Sequence, residues 1–145
     1  MRPEIEHHVY FAVFGFEHDP MQITLEAGIE PDDIWREGES FSPTLPEARR
    51  RENRWILSSM LDQGASHRDH FERLLLKLER LGEALPGLQA RYRCGIGVSR
   101  YYFMDDPGFY LPEDLLARFA ALGLTLSFDQ LGLDQPGDVA IVEKD

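Results

Sequence analysis

SHRDHFERLLLKLERLGEAL, the segment Ser66–Leu85, carries the clearest structural signal in the chain. Its apolar residues recur every three or four positions, which predicts one apolar stripe along an amphipathic helix. That stripe consists of Phe71, Leu74, Leu75, Leu78, Leu81 and Leu85. Ser66 and Asp69 predict a capping box at the start of the helix, and Gly82 and Pro86 predict its end. Because such a helix buries only one face, the rest of the chain should supply the layer that covers it.

The segments on either side of this helix predict the second layer. Four of them have the alternation or the β-branched and aromatic content of strands: Val9–Phe16, Arg54–Met60, Arg91–Phe103 and Leu124–Leu131. Two more helices are predicted, one from Asp19 to Gly28 and one over Pro112–Leu122, with Leu116 facing inward. This order predicts a single α+β domain over residues 1–145. We expect a two-layer sandwich with a mixed, mainly antiparallel sheet, two to three helices and a parallel crossover around the long helix. A ferredoxin-like core is the simplest arrangement with these features.

The composition restricts the class of protein. With 145 residues, 43% of them hydrophobic and 28% charged, a folded domain is expected rather than disorder. No apolar run approaches the ~20 residues that a membrane span needs, and the N-terminal sequence lacks the pattern of a secretory signal. The single cysteine, Cys94, cannot form an internal disulfide, which fits a reducing cytoplasm. A buried structural thiol is the expected role of this residue.

The charge distribution favours a basic partner over nucleic acid. The net charge is −11, and both ends of the chain are acidic while residues 49–100 are net basic. An acidic exterior repels nucleic acid and anionic membranes and suits a basic protein. Four arginines within residues 49–54 form a basic patch, but the pI of about 4.8 is far below that of typical nucleic-acid-binding domains.

Two sequence patterns resemble the bacterial family of small proteins called DUF4279. They are GIEPDDIWREG at residues 28–38 and LLARFAALGLTLSFD at residues 115–129, and the resemblance extends over about residues 9–130. Members of that family tend to follow the last Asp closely with Tyr, whereas here Asp129 is followed by Gln130 and Leu131. The resemblance implies a soluble bacterial protein. It implies no activity and no catalytic residues, because the function of the family is unknown.

The chain contains no motif that predicts catalysis, a cofactor or a metal. It has no nucleophile elbow, no Walker loop and no dinucleotide fingerprint. Ser58 and Ser59 have no base in their sequence context. His67 and His70 could chelate a metal from one helix face, but no third ligand with matching spacing is evident. We therefore expect a solvated helix start, with no metal and no cofactor.

A set of tryptophan, arginine and aspartate residues is the candidate for binding: Trp35, Arg36, Arg54, Trp55, Arg100 and Asp129. Arginine beside tryptophan on adjacent strands can form an anion-binding or protein-docking pocket, since guanidinium both pairs with carboxylates and stacks on rings. Both residue types are also common interface anchors. The alternative is that the tryptophans belong to the core and the arginines pair with Asp129, Glu37 or Glu39.

Three functions are consistent with the sequence. The first is a non-catalytic cytoplasmic protein that binds a basic protein partner, for example a toxin-neutralising immunity protein, through acids such as Asp32, Asp33 and Glu37. The second is a small domain or enzyme that binds an anionic ligand in a pocket lined by Trp35, Arg36, Arg54 and Asp129. The third is a homodimeric module built on the aromatic residues of segment 101–110.

Overall fold

Five strands and four helices make up the described part of the chain. The structure is a computed structural model that describes residues 5–40, 49–62, 64–103 and 110–133, with the backbone alone at 5–7, 100–103 and 129–133. The strands are β1 Ile5–Phe14, β2 Asp33–Trp35, β3 Arg54–Ser58, β4 Arg93–Phe103 and β5 Leu126–Leu133. The helices are α1 Met21–Ala27, α2 His67–Leu81, α3 Ala84–Arg91 and α4 Glu113–Leu122. The predicted α+β class is confirmed.

The five strands form one mixed sheet in the order β2-β3-β1-β4-β5. β1 pairs antiparallel with both β3 and β4, and β2 pairs antiparallel with β3. β4 and β5 are parallel neighbours, connected in the chain through α4. Since β3 and β4 both run opposite to β1, they run parallel to each other on either side of it. This is the split βαβ arrangement found in ferredoxin-like folds, and it provides the expected crossover around α2.

The hydrophobic core lies between the helices and one face of this sheet. All six residues of the predicted stripe are buried. The sheet residues in the same core alternate along their strands, as the period of two requires: Val9, Phe11, Val13, Trp55, Leu57, Ile96 and Val98. The residues between them in sequence, among them Tyr10, Phe14, Arg54 and Gly97, therefore lie on the opposite sheet face.

The end of the long helix differs from the prediction. α2 ends at Leu81 because Gly82 leaves the helical conformation with φ of 54°. A separate helix, α3, then begins at Ala84 and buries Leu85 and Leu88. Pro86 is tolerated because it lies in the first turn of α3, where its missing N–H has no intrahelical partner. The described chain thus has four helices where two to three were expected.

Most predicted helix ends are confirmed, and one buried position is wrong. The Ser66 hydroxyl accepts a hydrogen bond of 3.1 Å from the Asp69 backbone N–H. Gly28 and Gly123 close α1 and α4 in the left-handed conformation, with φ of 77° and 70°. Leu116, however, is 49% exposed. It follows the fully buried Leu115, and one residue along a helix turns the side chain by about 100° away from the core.

Ion pairs and one ring contact connect α4 to α2. The guanidinium of Arg118 donates to Glu72 at 2.8 Å and to Glu79 at 2.9 Å. Phe71 and Phe119 meet edge to face with ring centroids 5.6 Å apart. These contacts fix the helix of the β4–α4–β5 crossover, and with it the position of β5 at the edge of the sheet.

Two glycines of β4 provide a matched test of packing on the opposite sheet face. A Cβ added to Gly97 would overlap the Tyr10 ring, whereas one added to Gly95 would lie 3.6 Å from the Thr125 carbonyl oxygen, an ordinary contact. We predict that Gly97→Ala lowers the free energy of unfolding by about 1–3 kcal/mol, because the Tyr10 ring has to move. Gly95→Ala should be neutral or slightly stabilising, because alanine restricts the unfolded chain.

Urea denaturation of the two variants measures this difference directly. Equal stability of Gly97→Ala and Gly95→Ala would show that Tyr10 does not pack over Gly97.

Candidate functional site

A row of arginine and aromatic side chains crosses the sheet face opposite the helices. The register places four residues of successive strands directly opposite one another: Trp35, Arg54, Phe14 and Arg93. The guanidinium carbon of Arg54 lies 5.1 Å from the centroid of the Trp35 ring and 5.7 Å from that of Phe14. Arg93 lies 4.6 Å from the Phe14 centroid, and Arg50 lies 3.5 Å from the Trp35 centroid. These five residues, the arginine–aromatic row, alternate cation and ring across four strands.

Arg54 is the buried member of the row, and its hydrogen bonding is incomplete. Only 9% of the residue is exposed. One Nη donates to Glu52 Oε1 over 3.4 Å, which is long for a charge-assisted hydrogen bond. The Nε atom is buried and has no hydrogen-bond partner among the described residues. A buried donor without a partner costs about 1–3 kcal/mol, so an acceptor supplied from outside would be bound favourably here.

Glu52 bridges the two arginines that flank Phe14. Its other oxygen accepts a hydrogen bond of 2.8 Å from Arg93. Arg93 in turn packs closely on the backbone of Gly15, where an added Cβ would lie 2.6 Å from the guanidinium nitrogen. Gly15 also has φ of 78°, which favours glycine. The site therefore combines two guanidinium groups with one internal carboxylate.

A trough of about 670 Å³ begins at this end of the row. Phe14, Arg54 and Arg93 line its charged end, and Tyr10 lines it farther along β1. Along β4 and the start of β5 it is lined by five residues with small side chains, Gly95, Gly97, Ser99, Thr125 and Ser127, and also by Cys94, Ile96, Val98 and Phe128. A volume of this size lies within the range of roughly 300–1,000 Å³ that is usual for small-molecule sites. The trough offers rings, hydroxyl groups and two cations to a ligand.

The tryptophans of the predicted set lie on opposite faces of the sheet. Trp55 is fully buried in the core, where its indole N–H donates to the Thr24 hydroxyl at 3.0 Å. Trp35 is half-buried and belongs to the arginine–aromatic row, and its indole N–H donates to Asp33 at 3.1 Å. Trp55 is therefore a core residue, as the alternative interpretation expected of both tryptophans. Trp35 lies beside arginine side chains, as the pocket interpretation expected.

The remaining members of the predicted set are spread over the molecule. The structure brings Arg54 onto Trp35, whereas Arg36 is exposed and its backbone N–H donates to Glu39 at 2.8 Å. Arg100 lies in β4 opposite Gln130 of β5, and Asp129 lies opposite Ser99. The side chains of Arg100 and Asp129 are outside the described part of the structure.

Sequence reasoning missed Phe14, Arg93 and Glu52. The sequence predicts Phe14 only as part of the first strand, and Arg93 and Glu52 carry no signal of their own. The register between strands brings these three residues to Arg54, and no spacing in the sequence encodes that register. The one available signal is alternation in the first strand, because Val13 in the core requires its neighbour Phe14 to face the other way.

Two acids that were expected to contact a basic partner have partners within the chain. Asp32 forms an ion pair of 2.9 Å with Lys77 of α2 and accepts a 2.8 Å hydrogen bond from the Ser58 backbone. Asp33 accepts hydrogen bonds from Trp35 and from the Ile34 backbone. Both residues therefore stabilise the β2 edge of the sheet.

The structure also places a base beside Ser59. The Ser59 hydroxyl lies 2.6 Å from His70 Nδ1, and both residues are buried between β3 and α2. Burial lowers the pKa of His70, which a hydrogen bond to the Asp62 backbone partly offsets. Buried from solvent, this pair is a structural contact, and His70 belongs to the core and not to the solvated helix start that was expected.

Other chemistry in the described residues is limited. No group of three or more His, Cys, Asp or Glu side chains in this part of the chain is arranged to hold a metal ion. Cys94 is half-buried beneath the trough, and burial raises the pKa of its thiol to about 12, so the thiolate is scarce at neutral pH. Among the helices that the structure describes, none has the length and apolar character to cross a membrane.

Residues 5–133 match the family model for a domain of unknown function, DUF4279. Because the match covers most of the chain, the protein belongs to this family, and the resemblance seen in the sequence is confirmed. No curated protein and no solved structure matches the chain. Family membership therefore names no ligand and no reaction, and the function has to be argued from the site.

The burial of His70 predicts a pH-dependent stability. Since the pKa of His70 in the folded protein is lowered from 6.5, the unfolded chain binds the proton first as the pH falls. The stability is complete above about pH 6.5 and is lost as the pH falls towards the lower pKa of the folded state. The charged or titratable groups that also act on His70 are His8, Asp62 and Asp69.

Urea denaturation at about pH 7.5 and pH 5.5 measures this loss for the wild type and for His70→Gln. His67→Gln, a change in the same first turn of α2, is the control and should follow the wild type. The same pH dependence in His70→Gln and the wild type would contradict the assignment to His70.

Proposed function

We propose that this domain binds a small anionic ligand in the trough, with the anionic group at Arg54 and Arg93. The observation that carries the proposal is the buried Nε of Arg54, which has no hydrogen-bond partner among the described residues and belongs to a side chain that lines the trough. A buried charge is stable only when it is paired and hydrogen-bonded. An oxygen of the ligand would supply the missing acceptor.

The geometry of the row favours recognition at the edge of the guanidinium. Arg54 lies over both the Trp35 and the Phe14 rings, and these rings provide no in-plane oxygen acceptor for its N–H groups. Arginine presents its donors as a planar fork that matches the two oxygens of a carboxylate or a phosphate. Arg93 adds a second cation 4.6 Å from the Phe14 centroid, so one anion could contact both groups.

The other two functions stay predictions. Binding of a basic protein, including the immunity-type role, would have to use acids other than Asp32 and Asp33, or release them from their present partners. For the homodimer, Tyr110 is 73% exposed, whereas the side chains of residues 101–109 lie outside the described part. A bacterial and cytoplasmic setting is part of our proposal, and the single cysteine fits it.

A thermal-shift screen tests the proposed function. The panel consists of monocarboxylates, dicarboxylates and phosphate monoesters at constant ionic strength, with neutral amides and alcohols of matched size. A ligand at about ten times its Kd should raise the Tm by roughly 3–6 °C, because it binds the folded state alone. Arg93→Gln should abolish most of this increase, since it removes one of the two cations.

Arg73→Gln is the matched control, because Arg73 is exposed on α2, on the other side of the sheet from the trough. It removes the same charge and should leave the increase in Tm unchanged. An empty screen, or an equal loss in both variants, would contradict anion binding in the trough.

A further inference from the structure

Glu52 already contacts both arginines that an anionic ligand in the trough would contact. Its two oxygens contact Arg54 at 3.4 Å and Arg93 at 2.8 Å. Its side chain is 25% exposed, so the carboxylate is neither fully buried nor fully solvated. The contact to Arg54 is long and leaves Nε without a partner among the described residues. The Glu52 carboxylate therefore makes a good hydrogen bond with Arg93 and a weak one with Arg54.

Glu52 approaches the two arginines from a different side than the trough. It lines a second, smaller pocket of about 310 Å³, together with Gly15, Phe16, Glu17, Glu37 and Asn53. Arg54 and Arg93 line the trough instead. A ligand in the trough would therefore reach both guanidinium groups from the other side and compete with Glu52 for their charge and their N–H donors. The carboxylate can also withdraw into the smaller pocket when the ligand binds.

We propose that Glu52 is an internal competitor for the ligand and that the ligand is a carboxylate with a flat, apolar body. This inference rests on the proposed function and specifies its ligand class. Glu52 shows which anion the two arginines already accept: one planar group with two oxygens and a single charge. An external carboxylate that binds Arg54 through Nε and Nη makes the bidentate contact that Glu52 does not make.

The shape of the trough is the reason for proposing that the ligand has a flat, apolar body. Beyond the charged end, Gly95 contributes no side chain, and the rings of Phe14 and Tyr10 rise beside it from β1. Among the described residues, a Cβ at Gly95 would have only the Thr125 carbonyl oxygen within 4 Å, so these residues leave space above Gly95. A planar aromatic body fits between such a floor and the two rings, where offset or edge-to-face contacts are favourable.

Isothermal titration calorimetry with 2-naphthoate, a flat aromatic monocarboxylate, tests this inference. Glu52→Gln keeps the shape of the side chain and removes its charge, so we expect it to bind 2-naphthoate roughly 5- to 50-fold more tightly than the wild type does. Glu52→Asp keeps the charge on a shorter side chain and should give a smaller gain. It also serves as the test if Glu52→Gln does not fold.

Glu37→Gln is the matched control. Glu37 lines the same small pocket and loses the same charge, and the structure describes no contact between its side chain and Arg54 or Arg93. Its affinity for 2-naphthoate should stay within about twofold of the wild-type value, as for a solvent-screened charge. The neutral 2-naphthamide should bind none of the variants measurably.

Each contrary result would contradict a different part of the proposal. Equal affinity of the wild type and Glu52→Gln for 2-naphthoate would overturn the role of Glu52 as a competitor. The proposal that the trough binds anions would stand. An equal gain in affinity for Glu37→Gln would show that the effect comes from the lower net negative charge of the protein and not from the position of Glu52. Binding of 2-naphthamide as tight as that of 2-naphthoate would overturn the carboxylate class. Failure of every variant to bind 2-naphthoate overturns this inference, and only an empty anion screen as well overturns the proposed function.

Discussion

A guanidinium group carries a full charge and five N–H donors, and both must be compensated when it leaves water. Arg54 is buried on the sheet face that the helices do not cover, and its surroundings follow from this requirement. Two rings lie beside the guanidinium, and Glu52 provides part of the countercharge. Among the described residues, Nε has no hydrogen-bond partner, and the Arg54 side chain lines the trough. A position that served stability alone would be expected to pair all of these donors.

The arginine–aromatic row also concentrates positive charge at one site of a protein that is acidic overall. The net charge is −11, yet Arg54 and Arg93 of the arginine–aromatic row share the carboxylate of Glu52 in the ion pairs that the structure describes for them. A local excess of positive charge within a negative exterior attracts small anions at short range and repels large polyanions. This combination favours a small anionic ligand over a nucleic acid, which is consistent with the composition. The rings around the cations add selectivity for ligands that have an apolar body.

The sequence predicted the layers of the fold well because each layer is encoded locally. The stripe of α2, the cap at Ser66 and the left-handed glycines at 28 and 123 are patterns within a few residues. The boundary at Gly82 was misjudged because a second helix can begin immediately after a glycine. The site was predicted only in part, since Trp35 and Arg54 were named but their partners Phe14 and Arg93 were not. Those partners are set by strand register, which depends on the whole sheet.

The most direct test of the account is the NMR signal of the Arg54 Nε–H group during titration with 2-naphthoate. We predict a saturable downfield shift of this signal, as expected when a carboxylate accepts a hydrogen bond from Nε, while the Nε–H signal of the exposed Arg73 stays constant. An Arg54 signal that does not move at saturating ligand, or that moves no more than the Arg73 signal, would contradict the claim that the unpaired Nε is the anion-binding group.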